Sequence, residues 1–264
     1  MNKRVKSKKI IVTGASSGIG EKIVWHIAKN NGIPIMLARS IDKLEDIQEQ
    51  VRNATGVNPI IYPIDLLDEN KREAVFKQIL MEHPTVSGLI NNAGSGLFEY
   101  VETMDWEETR KMFELNLFAL VQGTQIVLRH FIQNGEGHIV NIASQAGKIA
   151  TPKSSIYSST KHAVLGFTNA LRMEVASKRI AVTAVNLGPV RTNFFVDADP
   201  TGSYQSKIAA YMLDPDRVAK KIVKHLFTRK REINMPGWME FGSKLYILFP
   251  ITMERILKGQ FDKK

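Results

Sequence analysis

Short apolar runs alternate with longer stretches of helical periodicity along most of this chain. The runs KKIIVT (8–13), IPIMLA (33–38), PIIYPID (59–65), VSGLINNAG (86–94), HIVNIAS (138–144), IAVTAVN (180–186) and EINMP (232–236) are short and mostly rich in β-branched residues, and they predict strands. Ile19, Ile23 and Ile27 repeat on one face and predict a helix over 18–30. Leu44, Ile47 and Val51 do the same over 41–52, and further helices are predicted over 69–81, 105–131, 155–178 and 215–227. The longest of these bends near Gly123, and the last starts from Asp214 as cap before Pro215.

Apolar strands alternating with helices predict a parallel sheet covered on both faces. Right-handed crossovers then give one doubly wound α/β domain with about seven strands and a ligand at the carboxyl edge of the sheet. With no internal repeat and no Pro/Gly/Ser-rich linker, residues 1–264 are read as one domain. Three segments sit outside the plan: a basic arm (1–7), a lid loop (187–213) and a C-terminal extension (237–264).

Composition changes the picture by exclusion. With 264 residues, 44% of them hydrophobic, the chain can bury a sizeable core. It has no cysteine, which excludes disulfides, thiolate metal sites and a cysteine nucleophile. Six scattered histidines give no expectation of a metal site. The formal charge of +10 is uneven: residues 1–9 carry five basic side chains and no acid, residues 217–264 carry 12 basic and 4 acidic, and the segment between is slightly acidic. A nucleic-acid partner would want a basic face with a recognition motif, and none is expected here. The apolar run Leu245–Met253 is too short to span a bilayer, and the basic start lacks the apolar core of a signal peptide. The expectation is a cytoplasmic protein, with peripheral membrane contact as an open alternative.

The first strand ends in Thr13-Gly14-Ala15-Ser16-Ser17-Gly18-Ile19-Gly20, followed by a helix. Glycines let the backbone approach a ligand closely, and a helix N-terminus offers unpaired N–H groups to a pyrophosphate. A tight strand–helix turn without ligand would leave the same glycine pattern. After the second strand stands Ala38-Arg39-Ser40, where a dinucleotide site carries either an acid for a ribose hydroxyl or an arginine for a 2′-phosphate. Arg39, with Ser40 beside it, favours NADP(H) over NAD(H), unless Arg39 is simply a solvated surface residue.

Thr13-Gly14-x-x-x-Gly18-x-Gly20, Asn91-Asn92-Ala93-Gly94, Asn116, Ser144 and Tyr157-x-x-x-Lys161 together resemble the short-chain dehydrogenase/reductase family over roughly 8–236. Tyr157 and Lys161 lie four apart on one helix face, and an ammonium beside a phenol is expected to lower its pKa toward the working range of a proton donor. The resemblance implies a Rossmann-type fold and a catalytic set of Asn116, Ser144, Tyr157 and Lys161. It implies that Tyr157 gives the proton, Ser144 orients the substrate oxygen, Lys161 holds the nicotinamide ribose, and Asn116 holds a local helix distortion. It also implies cofactor contacts from Gly14, Ser16, Ser17, Gly18, Ile19, Gly20, Arg39, Ser40, Asp65, Leu66, Asn92, Ala93, Gly94, Tyr157, Lys161, Gly188, Val190 and Thr192. The family's Pro-Gly after the sixth strand is here Leu187-Gly188-Pro189.

The implied activity is hydride transfer between NADP(H) and a ketone or secondary alcohol, most simply an apolar or lipid-like carbonyl. A non-catalytic dinucleotide sensor on the same fold is the alternative, and a homodimer or homotetramer is expected. Phe194, Phe195, Tyr204, Tyr211 and Met212 in the lid, with Leu97, Phe98 and Ile149, are candidate substrate walls or simply lid anchors. The tail mixes aromatics with Lys244, Arg255 and Lys258. Packing on the substrate side or on a sister subunit is the favoured reading of it, and an anionic membrane surface is the alternative.

Overall fold

The computed structural model describes residues 2–261. Seven parallel strands form one sheet in the order β3-β2-β1-β4-β5-β6-β7: β1 (Lys9–Thr13), β2 (Ile33–Ala38), β3 (Ile60–Pro63), β4 (Val86–Asn91), β5 (Gly137–Ile142), β6 (Ile180–Leu187) and β7 (Glu232–Met235). The order reverses between β1 and β4, so a crevice opens there at the carboxyl edge. The doubly wound reading of the sequence is therefore the observed fold.

Helices α1 (Gly18–Lys29), α2 (Ile41–Thr55), α3 (Glu69–Glu82), α4 (Trp106–Phe113), α5 (Ala119–Asn134), α6 (Ser155–Glu174) and α9 (Pro215–Lys224) flank the sheet. One layer of core lies between the sheet and α1, α2 and α9, with Ile23, Ile27, Leu44 and Val218 buried on it. The other lies under α3, α5 and α6, around Phe76, Val127, Phe131 and Leu171. Helices α1 and α2 bury the stripes their periodicity announced, and each fully buried Leu, Ile or Phe side chain contributes about 1.5–3 kcal/mol of transfer free energy.

The long central helix departs from the sequence reading. It runs through α4, a π-helical segment (Glu114–Phe118) and α5, so its irregularity centres on Asn116 and not on Gly123. Gly123 sits in regular helix because a Cβ there would lie 2.8 Å from the Phe76 ring; the glycine makes room for α3. The lid is not a bare loop either: it folds into α7 (Phe194–Ala198), α8 (Ser203–Ile208) and a 3₁₀ turn (Ala209–Tyr211), and Phe195, Ile208 and Met212 form a small core of their own. The extension forms α10 (Gly237–Leu248) and α11 (Pro250–Phe261).

The basic start is more than a solvated arm. Val5 is fully buried, Asn2 Nδ2 donates to the Val223 carbonyl at 2.8 Å, and Arg4 donates from Nε and Nη2 to the Leu226 and Lys224 carbonyls at 3.4 and 3.3 Å, while Lys3 and Lys6 are exposed around that anchor.

Candidate active site

The glycine loop is built for close approach. Gly14 and Gly18 have positive φ (64° and 55°), where a side chain is strained. A Cβ on Gly20 would stand 2.1 Å from the Gly14 carbonyl oxygen, so the turn and α1 touch through bare backbone. Ser17 precedes α1 in extended conformation and makes no side-chain cap bond, so the first-turn N–H groups face the loop. Thr13, the first residue of the glycine motif, stitches this loop to β4: its hydroxyl accepts from the Asn92 and Ala93 N–H groups at 2.9 and 3.0 Å. Asn92 Nδ2 in turn donates to the Thr13 and Gly14 carbonyls. Ser16, Ile19 and Ala93 lie on the same rim, and Thr192 from the strand-six loop closes on Gly18, its Cγ2 3.0 Å from a Cβ built there.

Ala15 N–H bonds the Leu37 carbonyl at 3.2 Å, which sets the exposed Arg39 and the half-buried Ser40 beside the glycine loop. Asp65 follows β3, and its carboxylate accepts from Leu67 N–H at 3.0 Å. The Leu66 side chain is in the core and its carbonyl accepts from Arg72, so its backbone N–H is the group it could offer a ligand. Arg72 is itself buried and pairs with Glu114 at 2.9 Å, tying this turn to the π-helical segment.

The four residues of the expected catalytic set come together. Asn116 is 1% exposed; its Oδ1 accepts from Ser95 N–H at 2.8 Å, and its Nδ2 donates to the Ser95 carbonyl at 2.9 Å and to Thr160 at 3.1 Å. The π-helical widening lets one side chain bridge the loop after β4 to α6, beside Gly94, whose built Cβ lies 3.0 Å from Asn116 Oδ1 and 3.6 Å from Lys161 Nζ. Lys161 Nζ donates to the Ile142 carbonyl at 3.1 Å and sits 5.8 Å from the centre of the Tyr157 ring. Ser144 follows β5 and lines the same cavity as Tyr157; its hydroxyl accepts from Ala146 N–H at 3.0 Å and donates to the Leu187 carbonyl at 3.3 Å.

Electrostatics reverse one expectation. Burial pushes the Tyr157 phenol up to about 12, the Ser144 hydrogen bond opposes this, and the neighbouring Tyr204 phenol adds to it. Burial also pushes the Lys161 ammonium down to about 8. Burial is the leading cause of both shifts, and it keeps Tyr157 protonated as a proton donor.

These groups open into a cavity of about 670 Å³. Ser144, Tyr157, Lys161, Asn92 and Gly94 line one end; Gly188, Val190 and Thr192 form a wall, with Ile19 at the glycine loop. The rest is largely apolar: Phe98, Ile149, Phe194, Phe195, Tyr204 and Tyr211 face it, as do Trp238 and Met239 of α10. Phe98 stands edge-on to Tyr157 at 6.0 Å, and Phe194 lies 5.7 Å from the same ring. Of the residues read as substrate wall or lid anchor, Leu97 and Met212 do not line the cavity, and Met212 is an anchor in the lid's own core. Gly14, Ser16, Ser17, Gly18, Arg39, Ser40, Asp65 and Leu66 lie outside the lining, along the open edge of the sheet. Gly188 is fixed by α10: a Cβ there would meet Met239 Sδ at 2.6 Å. No group of three potential metal ligands occurs among the described residues.

The comparisons with known proteins agree with this geometry. A family model for short chain dehydrogenase matches residues 8–201. The chain belongs to that family. Among curated relatives, dehydrogenase/reductase SDR family member 7B of Danio rerio is 32% identical, over 98% of this chain and 87% of its own. The NADP-dependent 3-hydroxy acid dehydrogenase of Schizosaccharomyces pombe is 33% identical, over 73% and 75%. Among solved structures, a short-chain dehydrogenase from Sphingobium yanoikuyae in complex with NADPH superposes with TM-score 0.79 at 25% identity, over 92% of this chain and 95% of that one. As a short-chain dehydrogenase, the chain is an oxidoreductase of alcohol and carbonyl groups.

Proposed function

We propose that this short-chain dehydrogenase moves a hydride between NADP(H) and the carbonyl carbon of an apolar, lipid-like ketone, or in reverse from the matching secondary alcohol. One observation carries the reading: Ser144, Tyr157 and Lys161 stand together at one end of a cavity whose opposite walls are largely apolar. The residues present suit a dinucleotide, since the Gly14–Gly20 cradle leaves bare backbone where a side chain would intrude. Arg39 beside that cradle supports a 2′-phosphate, and the NADPH complex of the related Sphingobium enzyme supports the same choice.

A nicotinamide cofactor supplies or takes the hydride. In reduction, Ser144 holds the substrate oxygen while the Tyr157 O–H bond breaks and its proton passes to that oxygen, leaving alcohol and phenolate. The Lys161 ammonium steadies the phenolate, and Asn116 keeps the loop after β4 and α6 in register around it. The aromatic walls exclude water from the proton donor.

The test is an NADPH-oxidation screen over ketones of graded chain length, run beside NADH. The expected result is preference for NADPH, rates that rise with apolar length, and no turnover by Tyr157→Phe. Preference for NADH, or a Tyr157→Phe enzyme keeping more than a few per cent of the rate, overturns it.

A further inference from the structure

We propose that α10 and α11 form a docking face for an anionic lipid surface, at the rim of the substrate cavity. Of the described side chains of α11, every one but Met253 is exposed, so the helix buries almost nothing against the body. A helix of 12 residues is marginal in water on its own, so this one needs a surface to lie on. Trp238, Phe241, Leu248, Phe249, Ile251 and Ile256 are 59–70% exposed, the densest cluster of exposed large apolar side chains among the described residues. Phe241 and Leu248 lie two helical turns apart on the outward face of α10, with Lys244 between them.

The charge of this face selects the occupant. Lys244, Arg255 and Lys258 are exposed among the apolar residues. Among the described residues of the two helices two acids stand against them: Glu240, mostly buried, is shared between Lys148 at 2.6 Å and Lys244 at 3.7 Å, and Glu254 accepts from the Tyr246 hydroxyl at 2.9 Å, so Arg255 and Lys258 carry most of the free charge. Apolar side chains interleaved with cations suit phosphatidylserine-type headgroups above an acyl layer. A second copy docked by the same face would gather the cations of both copies at one apolar seam. The face also runs into the cavity: Trp238 lines the cavity and stacks edge-on with Tyr211 at 6.4 Å. No helix among the described residues is long and apolar enough to cross a membrane, so the contact is with one leaflet.

The experiment is co-sedimentation of the full chain with phosphatidylcholine vesicles, with and without phosphatidylserine. The expected result is pelleting with the mixed vesicles that weakens in salt. Neutralising all three cations (Lys244→Gln, Arg255→Gln, Lys258→Gln) is expected to lower partitioning about a hundredfold. Phe241→Ser with Leu248→Ser is expected to abolish pelleting, while both variants keep the parent melting temperature and NADPH stoichiometry. Parent protein that stays in the supernatant overturns the proposal, as do variants that pellet like the parent. A soluble dimer that the Phe241/Leu248 variant splits would give the face to a second copy and equally overturn it. Vesicle binding does not require turnover, so this result and the ketone screen fail independently.

Discussion

The Cβ position of Gly20 lies 2.1 Å from the carbonyl oxygen of Gly14. Neither side can retreat easily, because the Gly14 carbonyl is held by Asn92 and Gly20 is buried in the first turn of α1. Gly20→Ala should therefore cost about 1–3 kcal/mol as overpacking and push the loop away from its ligand. Gly166, exposed in α6 with no heavy atom near its Cβ position, is the control: Gly166→Ala should stabilise by about 0.5–1 kcal/mol. Thermal melts of the two variants, with NADPH fluorescence titrations, check both; a Gly20→Ala protein that binds and melts like the parent contradicts the close-packed cradle.

Lys161 is held by burial at a pKa of about 8, below its usual 10.5. In the folded protein it binds its proton less tightly than in the unfolded chain. The charged form therefore costs stability below that range, and stability rises as pH climbs from about 8 to 10.5. Lys161→Met keeps the stem and removes the buried charge, relieving at most about 3 kcal/mol at neutral pH less the lost bond to Ile142. The variant should melt higher than the parent near neutrality and turn over nothing. Tyr157, pushed up to about 12, stays protonated across the same range, so a fall of kcat/KM near pH 8 belongs to Lys161. A Lys161→Met protein that melts lower, or a parent profile flat through pH 9, counts against this assignment.

Most of this architecture was legible in the chain because β-branched runs and helical spacing are local signals. Tyr157 and Lys161, four apart, and Gly14, Gly18 and Gly20 in one turn are local too, and each came out in its expected place. What was not legible depends on contacts distant in sequence. Gly123 looks like a helix breaker until Phe76, far back in the chain, is found filling its missing side chain. The helix distortion at Asn116 was implied by the resemblance, but its partners, Ser95 and Thr160, are ones that no periodicity reports. The upward shift of Tyr157 comes from burial by the lid aromatics, and spacing to Lys161 says nothing of that. Thr13 carries a faint signal, a hydroxyl residue ending a buried strand, whereas Met239 over Gly188 carries none.

Lys148 joins the catalytic turn to the tail. It lies just beyond Ser144 and donates to Glu232 of β7 at 2.8 Å and to Glu240 of α10 at 2.6 Å. Burial pushes the Glu232 carboxyl up, but the Lys148 hydrogen bond and charge outweigh it and leave it below the ordinary range. Its stabilising share is present above the unfolded carboxylate pKa and is lost as pH falls through the lowered folded value. Lys148→Met leaves two partly buried carboxylates without their cation and loosens α10, which carries Trp238 and Met239 of the cavity wall. The expected outcome is a protein less stable by about 3 kcal/mol, with KM for an apolar ketone raised more than kcat is lowered. Equal loss in both constants would place the effect on Ser144 instead of the wall.

Arg39 offers the sharpest separation of cofactor choice from catalysis. It stands at the end of β2, exposed, next to the loop that Ala15 N–H pins to Leu37, and well outside the cavity where the chemistry is housed. A guanidinium paired with a 2′-phosphate through charge-assisted bonds contributes about 1.5–3 kcal/mol, or roughly 10- to 100-fold in affinity. Arg39→Ala should weaken NADPH by that factor, leave NADH binding nearly unchanged and leave kcat at saturating NADPH within about twofold. Arg39→Asp should go further and invert the preference, since an acid accepts a ribose hydroxyl and repels a phosphate. Raising the salt concentration should weaken the parent's NADPH affinity more than that of Arg39→Ala, because only the parent has an exposed ion pair to screen. If both cofactors weaken equally in Arg39→Ala, Arg39 is a solvated surface residue and the 2′-phosphate is held elsewhere.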